Sequence, residues 1–159
     1  MFTTWKLGTI GVVLATGIFS AQAPDRLGTE GEWFVECVVD RLANKRDCEV
    51  AVEVKSTDPT FHMGFIYRVG SGMFLAVSLP APSRVVARVD GGEAYELGMC
   101  TGQACLLRGR VASQLRDRMH RGEVLRLEYR GSDRVSGVAE VSLSGFNKMH
   151  LEALDRLSH

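Results

Sequence analysis

Apolar and polar residues alternate with a period of two over most of the chain, the spacing of half-buried strands. Trp33, Val35, Cys37 and Val39 alternate with Phe34, Glu36, Val38 and Asp40. After a polar turn at 41–47, Cys48, Val50, Val52 and Val54 alternate with Glu49, Ala51, Glu53 and Lys55. If Cys37 lies opposite Cys48 in a hairpin, Val35 falls opposite Val50 and Trp33 opposite Val52. One register then puts both cysteines on the apolar stripe of both strands, and a one-residue slip destroys the agreement. Residues 56–61, with Asp58-Pro59, predict a loop.

The same alternation continues at 64–69, where Phe65, Tyr67 and Val69 share a face, and at 73–79. In the latter, Met73, Leu75, Val77 and Leu79 alternate with Phe74, Ala76 and Ser78. Residues 84–89 and 94–99 flank Asp90-Gly91-Gly92, a strong hairpin signal. Residues 104–111, 124–129 and 139–143 predict further strands, and 24–32 a flexible lead-in. Two segments break the period. Val111, Leu115 and Met119 recur every four residues, so 113–121 predicts a short helix with Ser113 as N-cap and Gly122 as the residue after its end. Phe146, Met149, Ala153, Leu154 and Leu157 predict an amphipathic carboxy-terminal helix. Eight or nine short strands at hairpin spacing argue for a mainly β, antiparallel sandwich.

Composition adds a compartment. Residues 7–19 are apolar, follow Lys6 and precede Ala21-Gln22-Ala23. Thirteen residues are too few to span a bilayer as a helix, so 1–23 predicts a secretory signal and 24–159 one mature domain; Pro24 directly after the cut leaves an uncleaved amino-terminal anchor as the alternative. No span is expected in the mature chain. Four cysteines in an exported domain point to two disulfides, with three pairings open; the hairpin register favours Cys37 with Cys48, leaving Cys100 with Cys105.

The chemistry that the motifs suggest is thin. Cys100-x4-Cys105 suits a metal knuckle, but its sister pair is ten residues apart and no histidine lies near either. A redox motif would have two intervening residues at a helix start. Gly70-Ser71-Gly72 lacks the third glycine of a dinucleotide loop, because Leu75 stands there. Ser71, His62 and Asp58 are near in sequence without a G-x-S-x-G elbow. His120, His150 and His159 show no ligand spacing and are assigned to the surface. No catalytic, cofactor or metal residue is assigned.

Net charge is zero, so no whole-chain charge argues for nucleic acid or for a membrane surface as a partner. Residues 106–134 nevertheless carry eight arginines against four acids, while in 24–60 nine acids face five bases. Arg116, Arg118 and Arg121 are therefore the candidate patch for an anionic partner. The alternative is a solvated face.

The order of motifs is also informative. Trp33 precedes Cys37 by four residues; Cys48, Leu79-Pro80, Met99-Cys100, Gly102 and Cys105 follow; Ser142-Leu143-Ser144-Gly145-Phe146 opens the last helix. Over residues 30–157 this resembles the invasion-associated locus B family of exported proteobacterial proteins. The resemblance implies an immunoglobulin-like β-sandwich in the periplasm or at the outer membrane. It implies a role in host-cell invasion and implies no catalysis. The first reading is therefore a non-enzymatic, disulfide-stabilised envelope protein whose partner is an envelope or host-surface protein. Two other readings stay open: an envelope chaperone lending a sheet edge to clients, and a small periplasmic enzyme whose site is assembled from distant residues.

Overall fold

A computed structural model describes residues 25–30, 32–54, 62–131 and 136–159. The expected signal (1–23), the loop at 56–61 with Asp58, and Arg134 lie outside the described residues. Among the described residues are ten strands: β1 (Asp25–Glu30), β2 (Trp33–Asp40), β3 (Lys45–Val54), β4 (His62–Arg68), β5 (Met73–Leu79), β6 (Pro82–Val89), β7 (Tyr95–Thr101), β8 (Ala104–Leu107), β9 (Val124–Gly131) and β10 (Ser136–Ser142). The helices are α1 (Arg110–Arg121) and α2 (Phe146–Leu157). The strands form one antiparallel sheet in the order β1-β2-β3-β4-β5-β8-β7-β6-β9-β10, curled into a half-barrel. The curl brings its far ends together: Trp33 on β2 donates its indole N–H to the Ser142 carbonyl of β10 at 2.8 Å.

The β2–β3 register pairs Cys37 with Cys48, Val35 with Val50 and Trp33 with Val52. The β6–β7 turn places Asp90 at φ 50° and Gly91 at φ 69°, with Gly92 N–H bonded to the Val89 carbonyl at 2.9 Å. Two consecutive positive φ values give a turn whose twist matches that of the flanking strands. On the inner face, Trp33, Val35, Val50, Phe65, Phe74, Val85, Leu97 and Leu125 are fully buried. α2 covers β1–β3 from inside through Phe146, Met149 and Ala153, and α1 adds Ala112, Leu115 and Met119 to the same core. Phe146 meets Trp33 edge-on with centroids 5.0 Å apart.

Five local expectations are corrected. The lead-in contains β1, whose partner is β2; pairing with that neighbour supplies what the polar sequence does not. The strand from 104 ends at Leu107, and α1 begins at Arg110 with Gly109, at φ 74°, in the N-cap position. Ser113 instead lies inside α1, its N–H bonded to the Gly109 carbonyl. Gly122 is extended (φ −95°, ψ 171°) rather than left-handed. It is required for space: a Cβ there would lie 2.1 Å from Val89 Cγ1. Val111 is exposed, and Ala112 takes the core position in its place.

Candidate functional site

Two disulfides fix the loops that carry the surface. Cys37–Cys48 crosses β2–β3 at a Cα separation of 4.1 Å, and Cys100–Cys105 closes the β7–β8 turn at 3.9 Å. All four cysteines are bonded. The second turn needs left-handed backbone at Met99 (φ 51°) and Gly102 (φ 55°), and Met99 is 61% exposed. Ser78 N–H bonds the Gln103 carbonyl at 2.9 Å, tying this turn to β5.

The three arginines of α1 do not form one patch. At about 100° per residue, Arg118 and Arg121 lie about 60° apart around the helix, with Arg116 about 140–160° from each. Arg118 and Arg121 are exposed in the last turn, where cations complement the helix dipole. Arg116 is half-buried. Its guanidinium bonds Asp117 at 2.7 and 3.0 Å, and it is also bonded to Tyr67 of β4. Those bonds, Asp117 first, raise the Arg116 pKa, and the Arg116 bond lowers that of Asp117.

Beside Arg116 stands a cluster that the sequence reading missed. His150 is buried, 7% exposed, and its Nδ1 is 2.8 Å from His120 Nε2. The surface assignment of His150 is therefore corrected, and His120 is half-buried. Asn147 Nδ2 donates to the His120 carbonyl at 3.0 Å, which orients the amide so that its Oδ1 meets His120 Nδ1. A carbonyl oxygen only accepts, so His120 carries its proton on Nδ1. In the neutral pair His120 Nε2 then accepts from His150 Nδ1–H. Both rings cannot be charged at that separation, because N–H would face N–H. The rings of Tyr67 (5.3 Å) and Phe146 (6.0 Å) also pack on His150. Burial, then the charges of His120 and Arg116, lower the His150 pKa to about 4. The signal was present: Phe146, Met149, His150 and Ala153 follow i, i+3, i+4, i+7 spacing, which places His150 on the inward face.

The other sequence candidates are scattered. His62 opens β4, whereas Ser71 lies in the turn beyond the far end of β4; both are exposed. A shallow groove of about 500 Å³ crosses β6, β9 and β10, lined by Arg84, Val86, Arg126, Glu128, Tyr129 and Arg130 among others. Its charges are largely matched within the groove's own face: Arg84 pairs with Glu96 at 3.0 Å and Arg126 with Glu140 at 3.5 Å. Among the described residues no helix is long and apolar enough to cross a membrane. No group of three or more His, Cys, Asp or Glu there could hold a metal ion. Comparison with protein-family models, curated proteins and solved structures returned no match.

Proposed function

We propose that this chain is an exported, disulfide-stabilised, non-enzymatic surface-contact protein of the cell envelope, of the invasion-associated locus B type. One observation carries the reading: all four cysteines are consumed in two local bonds. Such bonds persist in oxidising compartments and are rare in a reducing cytosol. The motif order from Trp33 to Phe146 supports the family, and the curl joining Trp33 to Ser142 fits two facing layers of an immunoglobulin-like sandwich. The edge strand β10 carries Glu140 and two serines, a poor template for apolar clients, so the chaperone reading is weaker. For an anionic partner, the contact on α1 narrows to Arg118 and Arg121.

The test is fractionation with thiol alkylation in intact cells of an exporting bacterium. Recovery in the periplasmic or outer-membrane fraction with no alkylatable thiol supports the reading. Recovery in the cytosol with four alkylated thiols refutes it.

A further inference from the structure

The Cys37–Cys48 bond does not sit at the end of its hairpin. Beyond it, Val38 pairs with Asp47, Val39 with Arg46 and Asp40 with Lys45, and the chain turns through 41–44. Among the described residues, β1 pairs with β2 from Asp25, opposite Cys37, and β4 pairs with β3 from Glu49; beyond it the Val69 N–H bonds the Cys48 carbonyl at 3.0 Å and Gly70 lies against the Asp47 side chain. Among the described strands, the pairs from Val39–Arg46 outward therefore extend past the sheet as a two-stranded ribbon, with Asp47 at its base against Gly70. Such a ribbon is marginal alone; a covalent bond at its base holds it in register.

The tip has an unusual surface for a projection into water. Leu42 is 82% exposed, Val38 50% and Val39 42%. Arg41, Lys45 and Arg46 are exposed around them. Arg46 also donates to the Arg156 carbonyl at the end of α2 at 2.8 Å, which steadies one flank of the ribbon. The acid Asp47 is turned inward, its Oδ1 buried. The hairpin carries three cations against two acids, Asp40 and Asp47. Aliphatic side chains at its tip with a net positive charge beside them match hydrocarbon lying beneath a layer of negative charge. An acidic protein surface would satisfy the cations but offers less to three aliphatic groups that protrude.

We propose that the 38–47 hairpin is a membrane-contact element. It seats Leu42, flanked by Val38 and Val39, in the interfacial region of an anionic bilayer. Arg41, Lys45 and Arg46 meet the headgroup charge. This names a partner for the surface-contact reading above and rests on it.

The test is flotation of the exported protein, both disulfides closed, with vesicles of phosphatidylcholine alone or mixed with phosphatidylglycerol. Binding should require phosphatidylglycerol and weaken at high salt. Charge reversal at a cation should lower partitioning by at least about fivefold per residue, so Arg41→Glu with Lys45→Glu costs about 25-fold or more. Leu42→Asp should lower it about tenfold or more. These side chains lie outside the core, and intact disulfides in the variants confirm that they fold. No binding to either vesicle, equal binding to both, or wild-type binding by the variants overturns the proposal. A protein that is periplasmic and fully oxidised yet ignores these vesicles refutes the hairpin's role alone; a cytosolic, reduced protein refutes export.

Discussion

Acidification from neutral pH towards 4 should remove a defined amount of stability through His150. Its pKa is lowered from 6.5 to about 4 by burial, then by His120 and Arg116. The groups facing it are His120 and Arg116 from α1, Tyr67 from β4, and Phe146 from α2, with Asn147 of α2 bonded to His120 behind them. Between pH 6.5 and about 4 the unfolded chain takes up a proton that the folded protein refuses. Stability is therefore complete above 6.5 and falls as pH drops towards 4. At about 1.4 kcal/mol per pH unit the interval is worth about 3 kcal/mol. With a urea slope of about 2 kcal/mol per molar, the midpoint should fall by about 1.5 M. Carboxylates also titrate near pH 4, so the assay compares wild type with His150→Leu. The variant loses the bond to His120 and is less stable at neutral pH, but its midpoint should change much less on acidification. Parallel pH profiles for the two proteins would refute a neutral, buried His150.

Three further outcomes follow from the same geometry. Gly122→Ala forces a Cβ to 2.1 Å from Val89 Cγ1 and to 3.0 Å from Asp90 Oδ2. Asp90 accepts from the N–H of Val124 at 2.9 Å. The variant should lose about 1–3 kcal/mol in denaturant unfolding, where the wild-type midpoint would contradict the crowding. Trp33→Phe removes the donor to Ser142 and shrinks the contact with Phe146. A loss of about 2 kcal/mol is expected in thermal unfolding, and a near-neutral result would mean the curl is held elsewhere. Arg118→Glu with Arg121→Glu should weaken envelope association in a salt-sensitive way, and should lower the melting temperature only by the lost match to the helix dipole, about 1 kcal/mol in all. Arg116→Glu, which breaks the contact with Tyr67, should lower the melting temperature.

Most strands were legible because one face is apolar and the period is two. The β2–β3 register could be read residue by residue, since only one alignment puts Cys37, Cys48, Trp33, Val35, Val50 and Val52 on one side. β5 was not legible in this way. Met73, Leu75 and Val77 are as apolar as Phe74 and Ala76, yet Phe74, Ala76 and Ser78 are the buried set. Its outward Leu75 continues a row from Phe34 through Ala51 and Ile66 to Leu106, so both faces carry apolar groups and alternation cannot choose between them. β1 was missed because its existence depends on β2 rather than on its own polar residues. α1 starts earlier than expected because Gly109, not a serine or threonine, occupies its cap. The histidine pair joins residues thirty apart, and separation of that kind leaves no local spacing to read. Helical phase alone would have marked His150 as inward, and an inward histidine needs a partner.

Peptide mapping of the native protein without reduction tests the account most directly. Digestion should release one linked pair containing Cys37 and Cys48 and another containing Cys100 and Cys105, with no thiol reactive under denaturation. A peptide joining the Cys37 region to the Cys100 region would contradict the pinned, curled sheet, and four thiols titrating freely would contradict the sheet and the oxidising compartment together.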